Sequence, residues 1–132
     1  MSQEPVTEVI HAGYGRIFRH PNGIIYVYMA DDLSVNVEDA KQLVSDVRQL
    51  DSSGQARLLI IQGTRNDLTF EAQYYLGKVH GATHLALVVR SKLQAEVAQF
   101  FVSLLQIFRS PYEMRVFHLL QQAEEWLLAV NP

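Results

Sequence analysis

The residues with the strongest claim to chemistry lie between Ala56 and Leu76, which read ARLLIIQG, TRND and LTFEAQYYL. Thr64, Arg65, Asp67 and Thr69 fall where a strand should hand over to a helix. In open α/β sheets, sites gather at the carboxyl ends of strands, because the loop leads to a helix N-terminus with free N–H groups. Such N–H groups, with Arg65, could hold a phosphate or a carboxylate, or meet a protein partner. The hydroxyl of Thr64 or Thr69 could instead accept a phosphoryl group, placing negative charge at a positive helix end. The plainer alternative is capping, with Asp67 or Thr69 bonding the first free N–H groups.

No other constellation reaches that level. His11, His20, His80, His84 and His118 show neither HxH nor HExxH spacing, so no metal site is expected. His80 and His84 are four apart, but Gly81 lies between them near a strand start. There is no G-x-S-x-G elbow, no GxGxxG and no Walker loop, so neither a cofactor nor an enzymatic activity is expected. The aromatics Tyr26, Tyr28, Tyr74, Tyr75 and Phe100 read mainly as core. Phe101, Val102 and Ile107 could form a second apolar face on a long helix. Apolar residues beyond a core stripe mark a partner surface or a ligand groove when they cluster, and ordinary exposure when scattered. A homodimer is the commonest way to cover such a face.

Composition narrows the class. The 132 residues make about one domain, long enough to bury a core unaided. Apolar residues at 48 % and charged residues at 19 % are ordinary for a globular chain. The absence of cysteine excludes disulfides and cysteine–zinc sites. The start MSQEPVTEV lacks a basic and apolar leader, and no apolar run nears the ~18 residues of a membrane span. A cytoplasmic location is therefore expected. The net charge of −3 argues against nucleic acid as a partner.

Pattern then gives the elements that position the loop. Residues 1–5 read as a tail and Val6–Ile10 as a short β-prone run. Arg16–Arg19 and Ile24–Met29, joined by His20-Pro21-Asn22-Gly23, make an antiparallel hairpin, since Asn-Gly tolerates positive φ. Asp31–Val35 reads as a connector. Asn36 should cap a helix whose Ala40, Leu43, Val44, Val47 and Leu50 form one apolar face. Asp51-Ser52-Ser53-Gly54 should close it. Arg57–Ile61 and Leu85–Val89 read as buried strands. The helix after the loop carries Phe70, Tyr74 and Leu76, with Gly77 and Gly81 loosening its end. A long helix from Lys92 places Leu93, Val97, Phe100, Phe101, Leu104, Leu105 and Phe108 on its core stripe and stops at Ser110-Pro111. Met114–Phe117 reads as a last strand. Gln121–Ala129 reads as a last helix with Ala123, Trp126, Leu127 and Val130 inward. The expected fold is α/β, with a mixed, mostly parallel sheet of about five strands, an antiparallel N-terminal hairpin and about four helices.

Over residues 13–130 this order resembles the STAS-like domains, related to anti-sigma-factor antagonists. It is closer still to the small stand-alone proteins grouped with STAS and CRAL-TRIO lipid-transfer domains. The resemblance is carried by Leu68-Thr69-Phe70-Glu71-Ala72, by Leu85–Val89, and by Phe117, Ala123, Trp126 and Leu127 in the pattern F-x5-A-x2-W-L. It implies residues 1–12 as a tail with a first short strand, and 13–132 as a single STAS-like domain. It further implies a non-enzymatic regulatory module that binds a protein partner or itself, or alternatively a carrier of a small apolar ligand or lipid. Antagonist domains carry an adjacent Asp-Ser or Asp-Thr pair at the helix start; here Asn66-Asp67-Leu68-Thr69 separates acid and hydroxyl. The literal Asp51-Ser52 sits one element too early and reads as a helix-ending turn.

Overall fold

The computed structural model describes residues 8–130, so the expected tail and Val6 and Thr7 of the first run lie outside the described residues. The chain opens with strands β1 (Ile10–Ala12), β2 (Gly15–Arg19), β3 (Ile25–Met29) and β4 (Ser34–Val35). Helix α1 (Val37–Leu50), strands β5 (Gln55–Ile61) and β6 (Asp67–Leu68), and helix α2 (Phe70–Lys78) follow. Strand β7 (Gly81–Val88), helix α3 (Lys92–Phe108), strand β8 (Glu113–Phe117) and helix α4 (Leu120–Ala129) complete it. The fold is α/β with a six-stranded mixed sheet in the order β1-β2-β3-β5-β7-β8. β1, β2 and β3 pair antiparallel; β3, β5, β7 and β8 pair parallel.

Local chemistry sets the element ends. In the hairpin the side chain of Asn22 accepts from Ile24 N–H at 2.9 Å, and Gly23 N–H donates to His20 O at 2.8 Å. Asn36 caps α1 reciprocally: its Oδ1 accepts from Asp39 N–H at 2.9 Å and Asp39 Oδ2 accepts from Asn36 N–H at 3.2 Å. Asp51 ends the helix, and its Oδ1 accepts from Ser53 N–H at 2.9 Å. The Asp-Ser-Ser-Gly stretch is thus a turn. The expected connector Asp31–Val35 contains β4, which pairs with β6 in a separate parallel ladder of two residues each.

Alternate side chains of the central strands serve opposite layers, as a pleated strand requires. Ile25, Val27 and Leu58 pack under Leu43 and Val47 of α1. Leu85, Leu87 and Met114 on that same face lie under Ala98, Phe101 and Leu105 of α3. Ile24, Tyr26, Leu59, Ala86 and Val88 point the other way, against Ala123 and Leu127 of α4. Three helices therefore cover one face, and α4 alone covers part of the other. Arg57 ties α4 down, donating from Nη1 to Leu127 O at 2.8 Å, where a cation also suits the negative helix end.

Two expectations about the helices are corrected. On α3, Leu93, Val97 and Phe100 lie on the surface; the buried residues are Ala98, Phe101 and Leu105. A helix laid close on a sheet needs a small residue at the point of approach, and Ala98 supplies it. On α2, Phe70 and Tyr74 are exposed, while Ala72 and Gly77 are buried. Gly77 does not loosen the helix end: a Cβ there would sit 2.5 Å from Phe108 Cδ2, so glycine lets α2 and α3 meet. Trp126 is half-buried at the rim of α4, against Phe117 and His84, with the Arg115 guanidinium 5.0 Å from its ring centre.

Burial, and then the hydrogen bond it donates to Glu124 on α4, push the Tyr26 phenol up to about 12. A pKa raised on folding gives stability that is full below the unfolded value, ~10, and lost as pH rises through the folded one. Tyr26→Phe should therefore flatten the fall in urea midpoint between pH 10 and 12, and an unchanged slope would contradict the contact. Leu127, fully buried between β5 and β7, should cost about 2–5 kcal/mol on replacement by alanine, read by urea denaturation.

Candidate functional site

The carboxyl ends of β3, β5 and β7 bring three loops together, and the expected Thr64–Thr69 loop is the middle one. Asn66 is its bracket. Its Oδ1 accepts from Gly63 N–H at 2.7 Å, and its Nδ2 donates to Ala30 O, after β3, at 2.7 Å. Gly63 has to be small, because a Cβ would stand 2.6 Å from Ala30 O and 2.8 Å from Met29 O. On the other side, Gln94 of α3 donates from Nε2 to Gly63 O at 2.9 Å and accepts from Arg90 N–H at 2.8 Å. One glutamine thus joins the loops after β5 and β7.

The exposed rim is polar and paired. Thr64 N–H donates to Asp31 Oδ1 at 2.8 Å, and Asp32 N–H donates to Thr64 O at 2.8 Å. Arg65 Nε donates to Asp32 Oδ1. Asp32 and Arg65 both take left-handed backbone conformations, with φ of 56° and 54°. That geometry is uncommon outside glycine. The guanidinium's hydrogen bond holds the Asp32 carboxyl below its ordinary value; desolvation opposes it, and the guanidinium's charge adds a lesser lowering. The same pairing raises Arg65. Both groups are open to water, so the pair adds little to stability.

The other two expected residues sit lower. Asp67 lies in β6, two residues before the helix cap, and its N–H donates to Leu33 O at 3.1 Å. Thr69 is the cap itself: its Oγ1 accepts from Ala72 N–H at 3.2 Å, and its N–H donates to Val35 O at 3.0 Å. The four residues therefore share one edge but divide into a Thr64–Arg65 rim and a Thr69 cap. Asp32 pairs with Arg65 and Asp31 stands near it, so the charge of this guanidinium is already met by the chain's own carboxylates. Among the described residues no group of three or more acids and histidines is placed to hold a metal.

The second expected surface divides differently. Phe101 is corrected to the core, in contact with Leu105 and Met114. Val102 turns toward Tyr112 and Met114, beside β8. Ile107 alone of the three is freely exposed, at 72 %. It joins a row that pattern reading assigned to the core: Leu93 at 70 %, Val97 at 58 % and Phe100 at 57 % exposed. Tyr74 of α2 lies against the end of α3, its ring 5.7 Å from that of Phe108, and exposed Phe70 stands one helical turn before it. Phe70, Tyr74, Tyr75 and Val79 line a wide-open depression of about 500 Å³.

Residues 18–131 match the model of a family described as a domain of unknown function, DUF7793. The chain belongs to that family. No curated protein and no solved structure matches it. In this DUF7793 chain, the missed surface residues had a signal in the sequence: Leu93, Val97, Phe100, Leu104 and Ile107 recur at intervals of four, three, four and three. Among the described residues, no helix is long and apolar enough to cross a membrane.

Asn66→Ala should cost about 1–3 kcal/mol, because it strips a partner from Gly63 N–H and another from Ala30 O. A change in urea midpoint equivalent to less than ~0.5 kcal/mol would show that water replaces both bonds readily.

Proposed function

We propose that this protein is a non-enzymatic STAS-like interaction module, which binds a protein through the outward crest of α3 and the neighbouring edge of α2. The observation that carries the reading is the exposure of Leu93, Val97, Phe100 and Ile107 on one crest, beside Phe70 and Tyr74. A soluble monomer gains nothing from such a row, and contiguous apolar patches of several hundred Å² mark contact surfaces. The element order supports the STAS-like part of the reading. Its non-enzymatic part is supported by where the polar groups are spent. Asp46 accepts from Tyr14 at 2.7 Å and from Gln42 at 2.9 Å inside the fold, Arg65 is paired with Asp32, and Thr69 caps a helix.

Within this reading the polar rim flanks the contact surface and tunes it. Thr64 sits at the loop crest, exposed, and is the hydroxyl better placed to take up a phosphoryl group than Thr69, whose oxygen already accepts a helix N–H. The carrier alternative fits less well, because the α2 depression is open to solvent on most of its perimeter, whereas carriers bury most of the ligand surface.

A photo-crosslinking residue at position 100 should capture protein in the native cell, while one at Gln49, on the exposed side of α1, should not. Capture at position 100 no higher than at position 49 would overturn the reading.

A further inference from the structure

We propose that the occupant of the α3 crest is a second copy of this chain, with the two α3 helices packed antiparallel about a two-fold axis at Phe100. This rests on the interaction-module reading and names its partner. The crest residues stand at seven and three positions before Phe100 and at four and seven positions after it. That series reads almost the same in both directions. An antiparallel copy therefore presents the same row: Leu93 meets Ile107 of the partner subunit, Val97 meets the region of Leu104, and Phe100 meets its own counterpart at the axis. Alternating intervals of three and four keep a seam on one side of a helix over four turns, which is what pairing with another helix requires.

The area fits one copy. Leu93, Val97, Phe100, Ile107, Phe70 and Tyr74, exposed between 42 % and 73 %, leave about 600 Å² of apolar surface. With half-buried Leu104 and the flanking polar residues, the face nears the ~800 Å² per partner of a standard stable interface. Charge points the same way. Of the seventeen residues of α3, only Lys92 and Glu96 are charged, both in its first turns. An exposed helix surface ordinarily carries many charges, and their depletion marks the centre of an interface. The Phe108 ring against Gly77 fixes α2 beside α3, so Phe70 and Tyr74 enter the face as one unit with the seam.

Sedimentation of the full chain should give twice the chain mass, falling to the chain mass only on dilution. Phe100→Glu places a charge at the axis and should weaken the dimer more than ~10-fold, with the circular dichroism spectrum unchanged. Because the chain has no cysteine, geometry can be read directly. Phe100→Cys should form a disulfide dimer on mild oxidation. Leu93→Cys and Ile107→Cys should each crosslink poorly alone and well when mixed. A monomer at the highest soluble concentration, a dimer indifferent to Phe100→Glu, or Leu93→Cys crosslinking best to itself would overturn the proposal. If the chain is monomeric while position 100 captures a different protein, the self-pairing fails and the interaction-module reading stands.

Discussion

Everything in this fold depends on covering β5 from both sides. Leu58 and Leu59 point to opposite layers and are both buried, so neither face of the strand can be left to solvent. Its neighbours β3 and β7 run parallel to it, and parallel neighbours demand crossover connections. The crossovers place α1, α2 and α3 on one face, and the other is left to the chain's last helix. Arg57 makes that arrangement firm, because the strand reaches across to hold the carbonyl end of α4. The exposed seam follows from the same constraint. Three helices in a row over the sheet leave the outward crest of the last one without cover from the domain itself.

The same topology makes the carboxyl edge. Parallel strands deliver successive loops to one side, so segments some thirty residues apart in sequence meet there. Asn66 and Gln94 convert that meeting into a fixed arrangement, one reaching back to the loop after β3 and the other forward to the loop after β7. Arg65 and Asp32 then sit on a hydrogen-bonded base despite their exposure. A loop held this way is suited to presenting side chains to another molecule, since little conformational entropy remains to be lost on contact.

What the sequence disclosed and what it hid divide along physical lines. Caps and turns are local chemistry, so Asn36, the Asn-Gly hairpin and the Asp51–Gly54 turn were legible from neighbours within four residues. The position of the Thr64–Thr69 loop was legible from strand-to-helix order. Its partners were not, because Asp31, Asp32 and Ala30 lie more than thirty residues upstream. The two-residue ladder of β4 and β6 is too short to leave any periodic trace. The phase of α3 was misread for a different reason. It carries two apolar rows at helical spacing, 93-97-100-104-107 and 98-101-105-108, and the expected stripe merged them because both are strongly hydrophobic. The sheet selected the second, with Phe101 and Leu105 inward as expected, since close approach rewards a small side chain at 98.

Gly77 and Phe108 have a bearing on how this family can drift. The glycine is tolerated inside a helix, where it costs stability, because the ring fills the space that a methyl group would take. The two positions thus divide one fixed volume. In other members of the family, alanine or serine at the first position should travel with a smaller side chain at the second, so that substitutions appear in pairs across chains. Either change on its own would leave a clash or a hole between α2 and α3, and selection would see it as a fault in the seam beside it.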